Sequence, residues 1–321
     1  MDEQRAAPPA VVVGVDGSDI ALEAVRWATE EAHRRGAPLR IVHVAPSADL
    51  GAAAARRVES IVDLARTTAE QTSHDVEVSS ACVSGHAAPA LADAAAHAQL
   101  LVVAMGGGER YEDIRLHSTA LSVCTAARCP VAVVRGVPVV PADGPVVLGV
   151  EHVDDDAVAV SVAFADAQRH GTGVIVVHAV HGTGRLRDHL IGQEAHSRRG
   201  AAALTAVTDE LAPWRSRYPA VPVEIRVVDL PAPGHLLQAA VRARLVVVGT
   251  RGRNLAARIV LGSTSHTVLR NAPCPVLVVR RDAQLVESAP YGVEPAPGRP
   301  VTHVPEQQRW ALHPHDRRQR R

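Results

Sequence analysis

The chain repeats itself, and that constrains its fold more than any other feature. Val-Val-Val-Gly-Val-Asp at 11–16 returns as Val-Val-Leu-Gly-Val-Glu at 146–151, and Ile41-Val-His-Val44 returns as Val176-Val-His-Ala179, both at an interval of 135 residues. Arg128-Cys-Pro-Val-Ala-Val-Val-Arg135 returns as Pro273-Cys-Pro-Val-Leu-Val-Val-Arg280 at an interval of 145, so the second copy carries a longer middle. Three matches in one order imply two copies of one unit, which 321 residues accommodate at roughly 100–200 residues per domain. We place the first domain at 8–136 and the second at 146–281, with the Pro- and Gly-containing stretch 137–145 as a linker. From 282 to 321 the composition turns to Pro, Arg, His and Gln without apolar periodicity, and that tail is expected to be disordered.

Within the first copy short apolar runs alternate with helical patterns. Val11 to Val15 reads as a buried strand; Ser18 then caps a helix with Ile20, Ala24, Trp27 and Ala28 on one face, ended by Gly36. Strands follow at Leu39 to Val44, Val76 to Val83, Leu100 to Ala104 and Val131 to Val134, separated by helices near Ala52 to Thr72, Ala87 to Ala98 and Ser118 to Ala127. The second copy repeats the plan from Val146 to Val279. Hydrophobic residues are 47% of the chain but aromatics only 2%, so the core is built from Val, Ala, Leu and Ile, as parallel strands under helices require. The fold class is therefore α/β: two tandem doubly wound domains with five-stranded parallel sheets, Rossmann-like in plan, whose ligands sit at the carboxyl ends of the strands.

What the chain lacks excludes several chemistries. All 34 basic residues are Arg, so a P-loop lysine, a Schiff base and a lysine general base are impossible. A formal charge of +0 supplies no overall field toward nucleic acid, and the basic terminus Arg317, Arg318, Arg320 and Arg321 reads as a solvated tail. Cys82, Cys124, Cys129 and Cys274 form no C-x-x-C pair, the amino terminus lacks a basic start followed by an apolar stretch, and no apolar run approaches the roughly 18 residues of a membrane span. The expectation is a reduced, cytoplasmic protein with no metal site, since the histidines show no ligand spacing.

The motif that carries chemistry follows the fourth strand of the second copy. Leu245 to Val248 runs into Gly249-Thr-Arg251-Gly252, and nine residues later Gly262, Ser263, Thr264 and Ser265 open a helix. Glycines let backbone approach a phosphate, and the free amides of a helix amino terminus, with the hydroxyls of Ser263 and Ser265, donate to its oxygens. Arg251 and Arg253 are candidate phosphate clamps.

With that spacing the chain resembles the universal stress proteins of the tandem kind found in actinobacteria. The family's ATP-binding signature, Gly, two residues, Gly, nine residues, Gly and Ser or Thr, is matched by Gly249, Gly252, Gly262 and Ser263. Asp16-Gly17-Ser18, the His43-Val44 step and the Cys-Pro-Val entry to the fifth strand are further marks, and the likeness spans roughly Val11 to Arg280. It implies an adenine nucleotide as ligand (ATP, with or without Mg2+, ADP or cyclic AMP), an adenine pocket that includes Val150 and Ala179, and Gly249 facing the ribose. In the first copy the four signature positions become Ala104, Gly107, His117 and Ser118, beside Asp16 and Val44, and the bulk of His117 predicts weak or absent binding there. In the second copy Glu151, His152 and Val153 replace Asp, Gly and Ser; Glu151 either contacts the ligand or favours the helix dipole.

Three function classes compare as follows. A nucleotide-responsive regulator is implied by the loop and the resemblance. A related enzyme, an adenylyl transferase or ATP pyrophosphatase, requires H-x-G-H with a lysine loop or S-G-G-x-D-S, and neither is present; slow ATP hydrolysis lacks an evident base. A ligand-free scaffold draws support from Glu151-His152-Val153. By resemblance the two copies pair through their apolar fifth strands, and two chains associate further into a homodimer.

Overall fold

In the computed structural model, the structure describes residues 9–46, 51–106, 116–136, 143–180, 193–250 and 261–285. Gly107, Arg251, Gly252 and Arg253, most of the linker and nearly all of the tail lie outside them.

The apolar runs form strands β1 (Val11–Val15), β2 (Leu39–Ala45), β3 (Val78–Ser84), β4 (Leu100–Ala104) and β5 (Val131–Val134). Their second-half counterparts are β6 (Val146–Val150), β7 (Val174–Val180), β8 (Val223–Asp229), β9 (Leu245–Gly249) and β10 (Val276–Val279). Between them run α1 (Asp19–Arg35), α2 (Ala52–Thr72), α3 (Ala87–Ala94) and α4 (Leu116–Ala126) in the first half. The second half has α5 (Ala157–His170), α6 (Gln193–Glu210), α7 (Ala212–Arg217), α8 (Ala232–Ala240) and α9 (Ser263–Asn271). The longer middle foreseen for the second copy includes α7, tied back to α5 by a hydrogen bond from Trp214 Nε1 to Ser161 Oγ at 2.9 Å.

The ten strands make one sheet in the order β3-β2-β1-β4-β5-β10-β9-β6-β7-β8. Each half is parallel and doubly wound; the single antiparallel junction joins β5 to β10, with Val276 opposite Val133 and Val278 opposite Val131. Both fifth strands are fully buried, so pairing them covers two apolar edges that would otherwise face water.

Helices α1, α2, α5, α6 and α7 cover one face of the sheet, and α3, α4, α8 and α9 the other. The buried stripe of α1 runs through Ala21, Ala24, Val25, Ala28 and Ala32, with Ile20 and Trp27 at its margin, one residue round from the face that sequence spacing suggested. Small alanines let α1 lie close on the sheet.

Candidate functional site

Strand order reverses between β6 and β9, and their carboxyl ends open there into a cavity of about 250 Å³ among the described residues, a little below the roughly 300–1,000 Å³ usual for a ligand site. One wall is apolar, formed by Val150, Val177, Ala179, Leu230, Leu236 and Val248. Glu151, Asp155, Asp156 and Arg281 make a polar floor, and Gly262, Thr264 and Ser265 a rim.

That rim is a helix amino terminus. Gly262 caps α9 with extended backbone and no side-chain hydrogen bond, so the first-turn amides have no intrahelical acceptor and present partial positive charge to the cavity. Ser265 is buried and its Oγ donates to the Gly249 carbonyl at 2.9 Å, which fixes the start of α9 against the end of β9. Of the residues singled out in the sequence, Val150, Glu151, Ala179, Gly249, Gly262, Thr264 and Ser265 line this one cavity, while Ser263 opens α9 with its side chain exposed.

Apart from Glu151, the floor was not foreseen. β6 begins at 146 where β1 begins at 11, an interval of 135, yet α5 begins at 157 where α1 begins at 19, an interval of 138. In the first half Gly17 turns at φ +87 and Ser18 caps α1, its Oγ accepting from the Ala21 amide at 3.2 Å. Val153 stands where that cap would be; it carries no hydroxyl and is wholly buried instead, so α5 starts three residues later. Asp156 then lies at the helix start but caps nothing in α5: its Oδ2 accepts from the Glu151 amide at 3.1 Å. Its Oδ1 lies so close to Gly249 that a Cβ there would sit 2.5 Å away. The close approach that demands glycine at 249 is thus, within the chain, that of a carboxylate. Burial pushes the Asp156 carboxyl above its ordinary value, against the pull of the Glu151 amide and the Arg281 charge. Arg281, from just beyond β10, forms an ion pair with Asp155.

The first-half counterparts are arranged differently. Asp16 turns inward on its own loop, accepting from the Ser18 amide at 2.9 Å and the Ser18 hydroxyl at 2.6 Å. Ile61 of α2 lies over Gly17, where a Cβ would meet it at 2.8 Å. Val44 is the next-to-last residue of β2 and Ala104 ends β4; His117 and Ser118 fall in the first turn of α4 with side chains outside the described residues. His43, one step before Val44, is structural: its Nδ1 bonds the Val15 carbonyl at 2.9 Å across β1 and β2. Cys129 and Cys274 are buried and their thiols are pushed up to about 11 and about 12, which removes the reactive thiolate.

A second polar constellation, also unforeseen, lies between the halves. Glu31 of α1 and Asp166 of α5 occupy the same repeat position and are both buried. Glu31 meets His170 Nε2 at 2.9 Å and Arg244 at 2.9 Å, and Arg244 also pairs with Asp166. Burial opposes the charge on Glu31, but the His170 hydrogen bond and the Arg35 and Arg244 charges hold its carboxyl well below the ordinary value. Donor atoms of Glu31, Asp166 and His170 lie within 4.8 Å of one another, yet Arg35, Arg169 and Arg244 already supply the positive charge a cation would bring. The signal available in the sequence was an acid repeated at an interval of 135 on an otherwise apolar helix face.

No described helix is long and apolar enough to cross a membrane. The Universal stress protein family profile matches residues 9–135 and again 144–280. A universal stress protein of Mycolicibacterium smegmatis is 34% identical over 293 residues, covering 86% of this chain and 99% of that one. One from Mycobacterium tuberculosis is 32% identical over 291 residues, covering 84% and 97%. The fold of a universal stress protein from Archaeoglobus fulgidus superposes with a TM-score of 0.63 at 16% identity, covering 85% of this chain and 98% of that one. Two family matches in tandem and relatives matched over nearly their whole length make this chain a member of the universal stress protein family.

Proposed function

We propose that the chain is a nucleotide-responsive regulator of stress adaptation in the cytoplasm that binds an adenine nucleotide, ATP foremost and with or without Mg2+, mainly in its second domain (146–281). The observation that carries this reading is the cavity at the β6–β9 switch point, whose lining combines apolar side chains suited to a flat base with the bare amino terminus of α9 suited to a phosphate. Val150 and Ala179 flank the base, Gly249 faces the ribose, and Gly262 with the first-turn amides and hydroxyls of Ser263, Thr264 and Ser265 takes the phosphate; Arg251 and Gly252, outside the described residues, are further phosphate contacts on the strength of the sequence signature alone. The first domain (8–136), with His117 in place of the third signature glycine, acts as the structural partner through β5 and β10.

Calorimetric titration with ATP and Mg2+ tests this, beside Gly262→His, which copies His117. The expected result is about one ATP per chain at micromolar affinity, on the order of −8 kcal/mol, and loss of binding in the variant. No binding by either protein would favour a ligand-free scaffold, a reading supported by the Asp156 carboxylate, which already takes the Glu151 amide at the crevice.

A further inference from the structure

Resting on that nucleotide reading, we infer that Asp156 is a specificity-determining residue: a resident anion in the crevice that turns phosphate charge away and admits the neutral, hydroxyl-bearing part of the ligand.

Free backbone amides at a switch point are what an anionic ligand group ordinarily accepts from. Here the Glu151 amide is already bonded to Asp156 Oδ2 at 3.1 Å, and Asp156 Oδ1 is packed against the Gly249 backbone. The crevice therefore carries its own negative charge, flanked by Glu151 and Asp155 in the cavity lining. Among the described residues Arg281 is the one arginine of that lining, and it is paired with Asp155. A phosphoryl group brought there meets carboxylates of its own sign in a partly desolvated site, whereas a hydroxyl meets an acceptor. The α9 amino terminus, the other polar part of the cavity lining, is left as the end suited to phosphate, so Asp156 orients the ligand as well as selecting it.

The repeat isolates the feature. At the interval of 135 the first half has Ala21, and opposite it, at the interval of 145, Ala104 in place of Gly249. Acid and glycine occur together in one half, and both are alanine in the other.

The test measures dissociation constants of adenosine, AMP and ATP in excess chelator, so that no cation masks charge, for the wild-type full chain, Asp156→Asn and Asp156→Glu. Asn keeps a side-chain oxygen for the Glu151 amide and removes the charge while turning the other oxygen into an NH2 donor, a change that adenosine and ATP feel alike through their common ribose, so the ratio of their affinities reads the charge; thermal unfolding of each variant verifies the fold. The expected result is that Asp156→Asn improves ATP over adenosine by about tenfold or more, AMP by less, while Asp156→Glu leaves the ratios near wild type. An unchanged ATP-to-adenosine ratio in Asp156→Asn overturns the inference alone, as does an equal gain in Asp156→Glu, which would make the effect one of shape. Loss of ATP binding in Asp156→Asn also overturns it, by making the carboxylate a favourable ligand contact. If none of the three ligands binds any of the proteins, the nucleotide reading falls and the inference with it.

Discussion

At the end of its first strand the first half turns through Asp16, Gly17 and Ser18 into a side-chain-capped helix; the second half turns through Glu151, His152 and Val153 and begins its helix three residues later. The sheets on either side of this difference are the same, down to the register of β1 on β2 and β6 on β7. Leu91 against Gly14 and Leu236 against Gly149 repeat the same contact, a leucine packed where a Cβ would be. The lesson is that a duplicated fold keeps its strands, whose side chains are buried, and diverges in the turns at strand ends, where one hydroxyl or one methyl group decides what the crevice contains.

The halves meet through charges as well as through strands, and there the largest effect is expected. Gln99 and Arg244 occupy matching positions, but Gln99 donates to the Pro9 carbonyl at 2.8 Å while Arg244 reaches across to Glu31 and Asp166. Arg244→Gln makes the second half like the first and leaves two buried carboxylates short of a partner, a loss of about 3–5 kcal/mol in denaturant unfolding. A loss under about 1 kcal/mol would show that Arg35, Arg169 and His170 suffice. The cluster also has a pH signature. Because the folded Glu31 carboxyl is held below its unfolded value, its contribution is complete above the ordinary carboxylate range and is lost as pH falls toward the depressed folded value. Glu31→Gln flattens that part of the acid limb of a stability-against-pH curve.

The fold was legible because its determinants are local and repeated. Val11–Val15 and Val146–Val150 have one burial pattern, and the alternation of such runs with helices leaves few topologies. That the fifth strands pair followed from the resemblance and from apolar edges that need covering; the antiparallel sense of the pairing is the structure's. Part of the cavity lining was legible too, since Val150 ends β6, Ala179 lies next to the end of β7 and Gly262 precedes a helix. What stayed hidden depends on contacts distant in sequence or on a shift of frame. Asp156 is one of three consecutive aspartates, and nothing in that run says which one turns inward; the loss of the Ser18 counterpart moves the helix start and so selects it. Arg244 and Glu31 are 213 residues apart and meet only because β5 and β10 pair.

The next effect in size concerns the glycine at 249. If the Asp156 carboxylate is what demands it, Gly249→Ala forces a clash and costs about 1–3 kcal/mol in unfolding free energy. The same substitution in an Asp156→Ala background, which reproduces the Ala104 and Ala21 pair of the first half, is expected to cost far less. The difference between the two costs is the coupling energy of the pair. Equal costs in both backgrounds would place the strain elsewhere on the β9 backbone and dissolve the parallel between the halves.

The smallest effect is at the helix starts themselves. Ser18 gives α1 a side-chain acceptor for the Ala21 amide, and its own hydroxyl is oriented by Asp16, so Ser18→Ala removes a cap and costs about 1 kcal/mol. Amide hydrogen exchange at Ala21 should rise modestly with it, because that amide loses its side-chain acceptor and keeps the Ser18 carbonyl at 3.0 Å, while the turns beyond are untouched. Asp156→Ala removes no bond to the first turn of α5, so exchange at the α5 amides should stay as it is, and the change should appear at the Glu151 amide instead. Protection lost along the first turn of α5 would mean that Asp156 steadies the helix through its charge at the dipole, and the two halves would then differ in the means of holding a helix start but not in the function of the residue that holds it.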